Sequence, residues 1–501
     1  MNDTPTRTRP ARVLRAIVAV VAWVLLWAGL TLLVASLGIR VFYGKISLDQ
    51  LLLNLIAVQT DGGGGAGLVW AAIIVIGVLP VAVTMALVWW RRRRIRRGRR
   101  PSTLMSAVAV VLAVAIAASG VFAFATTIKL PAYFRSASNT ANIGDYYATP
   151  QVTDASHAHN LVLIYLESGE ETLEDPAVTE YNPYESLNAA TADFGRVEKL
   201  TQYTGGGWTM AGLVSTQCGL PLKGIVAASG GEIVEDLSGG LTSYLPGADC
   251  VGETLANAGY HNVFMGGANA AFAAKGLFLS DHGYGTELDL EHWRALGESD
   301  DDMRSDWGLS DERLMARAIE QVDQLHADYE NTGTLFSLGM LTLDTHEPAH
   351  PYDYCPIDTD EEMTAIYACS MEQVAGLIDH MRDAGYLDDT SVVIMGDHLK
   401  QLGIASGYHA ELSDRTDRTI YNRIWVPGGT PEMRESVDQL SMFGTILEAA
   451  GLELRDGVAG LGVSAFRDRI PEDSALALDD AAYRKLLNSR SDAFYEEAWG
   501  H

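Results

Sequence analysis

Apolar residues follow two different rhythms along this chain. Before residue 130 they form three long runs, roughly Val13 to Ser36, Gly67 to Trp90 and Leu104 to Thr126, broken by a single charge, Arg15, near the start of the first. Each run exceeds the roughly 20 residues needed to cross a hydrocarbon core, so the pattern predicts three membrane spans rather than buried core helices or a cleavable leader. Between the first two, Ile46 to Val58 (ISLDQLLLNLIAV) has the spacing of a short amphipathic helix, followed by the glycine run Gly62 to Gly65. That segment is expected to lie along the outer membrane surface.

From Asn160 the rhythm changes to short apolar strands alternating with longer amphipathic helices, which predicts a layered α/β domain. Strands are expected at Leu161 to Leu166, His261 to Met265, Gly333 to Met340, Ser391 to Met395 and Ile420 to Val426. Helices are expected at Asp311 to Tyr329, Glu361 to Ala384, Ser436 to Ala450 and Asp479 to Trp499. Residues 130–159 are polar and lack a period, so they read as a linker. The expected organisation is a membrane domain over 1–129, that linker, and a soluble domain over 160–501.

Charge adds orientation. Arg7, Arg9, Arg12 and Arg15 flank the first run, and Arg91 to Arg94, Arg96, Arg97, Arg99 and Arg100 separate the second from the third. Positive flanks stay in the cytoplasm. The N-terminus is therefore expected inside, and everything after Ile128 outside, in a multipass protein of the plasma membrane. Fifteen of the 36 basic residues but only three of the 64 acidic ones lie in residues 1–129, leaving about −40 on the remainder, which argues against nucleic acid as a partner. All four cysteines, Cys218, Cys250, Cys355 and Cys369, fall in that exported part. An even number in an oxidising compartment fits disulfides; of the three possible pairings, neighbours are expected, Cys218 with Cys250 and Cys355 with Cys369.

Candidate chemistry sits at the strand ends. The strand LVLIYL ends at Glu167, and SVVIM ends, one glycine later, at Asp397 and His398. Ligands of open α/β sheets bind at such edges, and two carboxylates with one imidazole suit Mn²⁺, Mg²⁺ or Zn²⁺. Between them, in TGGGWTMAGLVSTQCGLPL, three glycines and Trp208 precede Thr209, where an apolar helix begins. Thr209 reads either as a helix cap or as a nucleophile, its hydroxyl activated by a metal beside a helix N-terminus that favours phosphate.

Together these segments resemble the alkaline-phosphatase-like phosphoglycerol transferases, which include the lipoteichoic acid synthases and the transferases that decorate periplasmic glucans. NLVLIYLES, GGWTMAGLVSTQCGLPL, FMGGANAAFAAKG, DWGLSDE, LTLDTHEP and MGDHL occur in that family's order, and the three-span N-terminus is similar to the membrane part of lipoteichoic acid synthases. The resemblance implies an alkaline-phosphatase-like α/β fold with one divalent metal, Mn²⁺ first and Mg²⁺ or Zn²⁺ as alternatives. Its ligands would be Glu167, Thr209, Asp397 and His398, with Thr209 also the nucleophile. His346 and Lys275 would contact the substrate, His346 also serving as acid or base, and Trp208 is assigned with them to substrate binding. Lys275, Met265 and Ala273 stand where lipoteichoic acid synthases carry arginine, histidine and tryptophan, which favours the glucan-type branch. The implied reaction moves glycerol phosphate from phosphatidylglycerol, a membrane lipid, to a glycan or glycerol-phosphate acceptor. A phosphoethanolamine transferase, a lipid phosphodiesterase of the same fold, and a non-catalytic membrane sensor or cell-wall-binding protein are the competing readings. Cys218-Gly-Leu-Pro-Leu-Lys loosely resembles the C-x-P-x-R segment of sulfatases, but its proline is one place late and the arginine is missing, so Cys218 is read as half of a disulfide.

Overall fold

A computed structural model of the protein describes residues 9–56, 70–99, 101–136, 138–224, 241–304 and 307–500. The glycine run Gly62 to Gly65 and the first residues of the second apolar run lie outside that set. The chain forms two compact units: one takes in the described residues up to Ser47 and from Trp70 to Ala132, the other Leu48–Ile56 and everything from Tyr133.

The first unit holds three helices long and apolar enough to cross a membrane: α1 (Arg9–Phe42), α3 (Trp70–Arg96, with a π-helical stretch at Ile73–Val78) and α4 (Thr103–Thr127). Gly29 of α1 and Gly120 of α4 permit close contact; a Cβ on Gly120 would stand 2.4 Å from the Gly29 carbonyl oxygen. Small residues serve helix packing in lipid this way because water supplies no driving force there. Ser36 and Thr127 hydroxyls bond at 2.7 Å in the same interface.

The intervening helix α2 (Leu48–Ile56) is formed as the amphipathic spacing predicts. It belongs to the second unit, where Leu53 joins the core and the Asp49 carboxylate accepts the Gly224 N–H at 3.3 Å. An amphipathic helix buries its apolar stripe against whatever apolar surface is available, and for part of this stripe that surface is protein.

The second unit is built on a six-stranded sheet. In chain order its strands and the main helices are β1 (Asn160–Leu166), α5 (Thr209–Cys218), β2 (His261–Gly266), β3 (Thr286–Leu288), α6 (Asp311–Thr332), β4 (Phe336–Leu341), α7 (Glu362–Asp383), β5 (Thr390–Gly396) and β6 (Asn422–Trp425). The sheet order is β6-β5-β1-β4-β2-β3, parallel throughout except for antiparallel β6. Every residue of β1, β4 and β5 is buried, as the continuous apolar runs require of a sheet covered on both faces. Leu161, Leu163 and Tyr165 enter one core, while Val162, Ile164 and Leu166 enter the other.

Four expectations shift locally. Gly333 ends α6 in the left-handed conformation, so the strand begins only at Phe336. Ser436–Asp438 is a strand paired with Lys199–Thr201, and helix starts at Met442 because Asp438 caps the turn between them. The last expected helix is two, Asp480–Leu487 and Asp492–Ala498, interrupted where the Ser491 hydroxyl takes the Ile143 N–H. Residues 138–159, read as linker, contain that fully buried Ile143 and a strand, Val152–Asp154, paired with Glu453–Leu454.

Candidate active site

Sheet register builds the site. Leu166 lies opposite Gly396 on neighbouring parallel strands, so the next residues, Glu167 and Asp397, leave the sheet side by side. Strands about 4.8 Å apart cannot keep two such carboxylates distant. A Cβ on Gly396 would stand 1.9 Å from the Gly169 carbonyl oxygen, so only glycine allows the β1 turn to close on β5. The turn itself is strained, with Ser168 at φ 54°. Its N–H reaches Asp397 Oδ1 at 2.8 Å and its hydroxyl reaches Glu167 Oε1 at 2.8 Å. Thr342 accepts the Glu167 N–H at 2.9 Å and Thr345 donates to the Glu167 carbonyl at 2.6 Å, so the peptides on both sides of Glu167 are fixed.

Helix α5 brings the hydroxyl. Gly212 lets it lie backbone to backbone on β5, since a Cβ there would stand 2.1 Å from the Asp397 carbonyl oxygen. The cap reading of Thr209 fails: Trp208 occupies the cap position and Thr209 is the first helical residue. Its hydroxyl donates to Glu167 Oε2 at 3.3 Å and is only part-buried.

Glu167, Asp397 and His398 offer ligand atoms within 4.8 Å of one another, all buried. His398 Nδ1 is 2.7 Å from the Leu399 carbonyl and must donate to it, which leaves the Nε2 lone pair facing Asp397 at 3.5 Å and Glu167 at 3.7 Å. Asp397 Oδ2 is buried without a hydrogen-bond partner among the described residues. Burial, and then the Glu167 charge, push the Asp397 carboxyl up to about 7. For Glu167 burial also acts upward, but His346, His398 and the hydroxyls of Ser168 and Thr209 outweigh it and hold it below the ordinary range. His398 is drawn above its ordinary value because Asp397 and Glu167 overcome its burial. Two carboxylates, an imidazole lone pair and an orphaned oxygen converging in one buried place form a donor set that fits a divalent cation. The other such group among the described residues, Cys250, Glu253 and His282, does not fit one, because Cys250 is in a disulfide.

His346 stands at the rim, half-buried, its Nδ1 donating to the Glu347 carbonyl at 2.6 Å so that Nε2 carries the lone pair. Burial lowers its pKa; Glu167 pulls the other way and Arg304 adds to the lowering. Lys275 is buried, and burial lowers its pKa against the attraction of Glu287, Asp289, Glu167 and Asp397. Trp208 is 7% exposed and packs in the core around α5, so little of its ring faces outward. Both expected disulfides are present, Cys218–Cys250 at the end of α5 and Cys355–Cys369 between α7 and the loop that carries His346.

Arg304 and Trp307 were not singled out by sequence reasoning. The buried Arg304 guanidinium donates to the His346 carbonyl at 2.9 Å and the Pro348 carbonyl at 2.7 Å, and the Trp307 ring lies 4.0 Å from the His346 ring. Only the DWGLSDE block marked this region, and nothing in it foretold the contact with His346. Arg304→Met is expected to release the His346 loop and lower kcat by about tenfold to a hundredfold with a smaller change in KM, as misplacement of a reacting group does. Steady-state kinetics beside a thermal melt would check it; a parallel loss of kcat and stability would mark Arg304 as a fold residue alone.

Fold and site together define an alkaline-phosphatase-like α/β protein. The model of the sulfatase family matches residues 202–452, half of the chain, and the chain belongs to that family. It is 32% identical over 346 residues to phosphoglycerol transferase I of Xanthomonas campestris pv. campestris, covering 68% of this chain and 47% of that protein. The chain thus spans about half the length of the curated relatives it matches. Among solved structures, the lipoteichoic acid synthase LtaP of Listeria monocytogenes is similar with a TM-score of 0.46 at 16% identity, covering 63% of this chain and 78% of that one. The lipooligosaccharide phosphoethanolamine transferase A of Neisseria meningitidis, an integral membrane protein, gives a TM-score of 0.48 at 14% identity over 85% and 84%.

Proposed function

We propose that the protein is a membrane-anchored transferase that moves glycerol phosphate from phosphatidylglycerol to an extracytoplasmic glycan or glycerol-phosphate polymer through a covalent intermediate on Thr209. The observation that carries this reading is the Thr209 hydroxyl, part-exposed at a helix N-terminus and bonded to Glu167 within the Glu167, Asp397 and His398 set. The name of the relatives, phosphoglycerol transferase I, supports the choice of head group.

A divalent ion held by Glu167, Thr209, Asp397 and His398, Mn²⁺ first and Mg²⁺ or Zn²⁺ otherwise, would supply charge that acidifies the hydroxyl and polarises a phosphoryl oxygen. Thr209 Oγ1 bonds to phosphorus as the bond from phosphorus to the diacylglycerol oxygen breaks. Threonine loses its proton and diacylglycerol leaves with one. The α5 N-terminus, with its free N–H groups, steadies the phosphoryl oxygens. An acceptor hydroxyl then attacks the glycerophospho-threonine, its proton passes to His346 Nε2, the bond from Thr209 to phosphorus breaks, and the threonine oxygen takes up a proton as His346 gives one back, so both groups return to their starting state. His346 suits that second step because its environment favours the neutral form and its tautomer leaves Nε2 free. Lys275 contributes positive charge beside the carboxylates, where an anionic phosphodiester must come.

Incubating the membrane-embedded protein with head-group-labelled phosphatidylglycerol and divalent metal should place the label on an acceptor and, without acceptor, on the peptide containing Thr209. Label from phosphatidylethanolamine instead would reassign the head group, and free glycerol phosphate alone would make it a phosphodiesterase.

The arginine-rich flanks support a catalytic unit outside the cytoplasm. A cysteine introduced at exposed Thr140 should therefore react with an impermeant reagent on intact cells, and one at Arg96 should not. The reverse pattern would invert the topology.

A further inference from the structure

Helix α2 lies between two membrane-spanning stretches of sequence yet is built into the catalytic unit. Asp49 and Leu53, one helical turn apart and so on one face, engage the strap Pro221 to Gly224: Asp49 Oδ1 takes the Gly224 N–H at 3.3 Å, and Leu53 is the side chain nearest Gly224. That strap leaves the helix that begins with Thr209. Its other side is held by the C-terminal helices, where Lys223 Nζ donates to the Leu487 carbonyl at 2.8 Å and to that of Ser489, and the Trp499 indole N–H reaches the Lys223 carbonyl at 2.9 Å. Asp49 lies within electrostatic reach of Lys223, so the strap is pinned by charge as well as packing.

The helix also borders the turn Phe272–Ala274, which directly precedes Lys275. That turn is strained, with Ala273 and Ala274 at φ 53° and 56°. Phe272, 36% exposed, meets the Trp307 ring edge-on at 5.9 Å, and Trp307 lies on His346. The turn that α2 borders therefore carries Phe272, from which ring contacts run through Trp307 to the imidazole at the rim of the site. Leu48 and Leu51 fall on the side of α2 away from Asp49 and Leu53 and keep part of their surface uncovered. Five residues of chain separate α2 from the end of α1, so α2 follows a membrane-spanning stretch of sequence on a short tether.

We propose that α2 is the donor-side wall of the catalytic site, its outer leucines meeting the acyl-chain end of a membrane phospholipid while its inner face fixes the strap after the nucleophile helix and the turn before Lys275. The inference rests on the lipid-donor reading above and adds where the lipid enters. A water-soluble phosphodiester has no acyl chains for Leu48 and Leu51 to meet. It still needs Thr209 and its neighbours. Lipid and soluble donors should therefore respond differently to changes on the outer face of α2, which a purely structural helix would not allow.

The test uses the full chain in phospholipid vesicles with divalent metal supplied, comparing wild type with Leu51→Asp and Leu53→Ala. Release of diacylglycerol from phosphatidylglycerol, or from phosphatidylethanolamine, is measured beside hydrolysis of bis(p-nitrophenyl) phosphate. Leu51→Asp is expected to lower lipid turnover by about tenfold or more while soluble diester hydrolysis stays within about twofold, as misplacing one reactant relative to the catalytic groups would, whereas Leu53→Ala, on the inner face, should lower both donors alike. Equal loss on both donors in Leu51→Asp, or no loss on either, would overturn the proposal. Turnover of phosphatidylethanolamine in place of phosphatidylglycerol would correct the head group alone, and the contrast between donors, read on that lipid, would still support or overturn the role of α2.

Discussion

Thr209→Ala is expected to abolish transfer and covalent labelling together while leaving the domain folded. No other hydroxyl occupies the first turn of α5 at that point, and Met210 to Cys218 behind it are all buried and unchanged by the substitution. The lost methyl and hydroxyl come from a part-exposed side chain whose hydrogen bond among the described residues is the one to Glu167, so stability should change by no more than a surface hydroxyl's worth, about 1 kcal/mol. Were Thr209 a cap, the same change would cost about that much stability and leave most of the activity. Thr209→Ser should keep some rate, since its oxygen can take the same position. The measurement is mass spectrometry of the Thr209 peptide after quenching with lipid but without acceptor, beside head-group release. Substantial release by a folded, metal-loaded Thr209→Ala protein would remove Thr209 from the mechanism.

Much of this was legible in the sequence because strands buried on both faces leave continuous apolar runs, and the residue after such a run is at the sheet edge by construction. Glu167, Asp397 and His398 were found that way, and parallel register then brings them together. Thr209 was legible as the start of a helix but not as its first helical residue, since the cap depends on backbone angles that Trp208 adopts without a cap side chain. Arg304 and Trp307 left no periodic trace: they reach His346 across 42 and 39 residues of chain from a two-residue strand and the turn after it, and such contacts are fixed by tertiary packing. Helix α2 shows a different limit. Its amphipathic pattern was read correctly, but leucines say only that something apolar covers them, and here Leu53 is covered by the catalytic unit.

Asp397→Asn is expected to remove metal binding and activity while making the metal-free protein more stable at neutral pH. Asp397 is fully buried, its Oδ2 has no hydrogen-bond partner among the described residues, and Glu167 stands beside it, so in the absence of a cation the carboxyl is held up to about 7 in the folded state against about 4 unfolded. A carboxyl raised on folding favours the native state only while it is protonated. The stabilisation is complete below the unfolded value and disappears as pH rises from about 4 through about 7, a change on the order of 3–4 kcal/mol by linkage and an upper figure for a coupled group. Asparagine is nearly isosteric, keeps an oxygen for the Ser168 and His398 N–H groups, and carries no charge to repel Glu167. The chelated variant should therefore melt above the chelated wild type at pH 8, while the two converge near pH 4.5. Added divalent metal should reverse the order once it is in large excess, because ligand at a thousand times its dissociation constant stabilises by about 4.1 kcal/mol and only wild type has the full donor set. If metal raised both melting temperatures equally, Asp397 would not be a ligand; if chelated wild type showed no loss of stability between pH 4.5 and 8, the carboxylate repulsion assigned to this site would be absent.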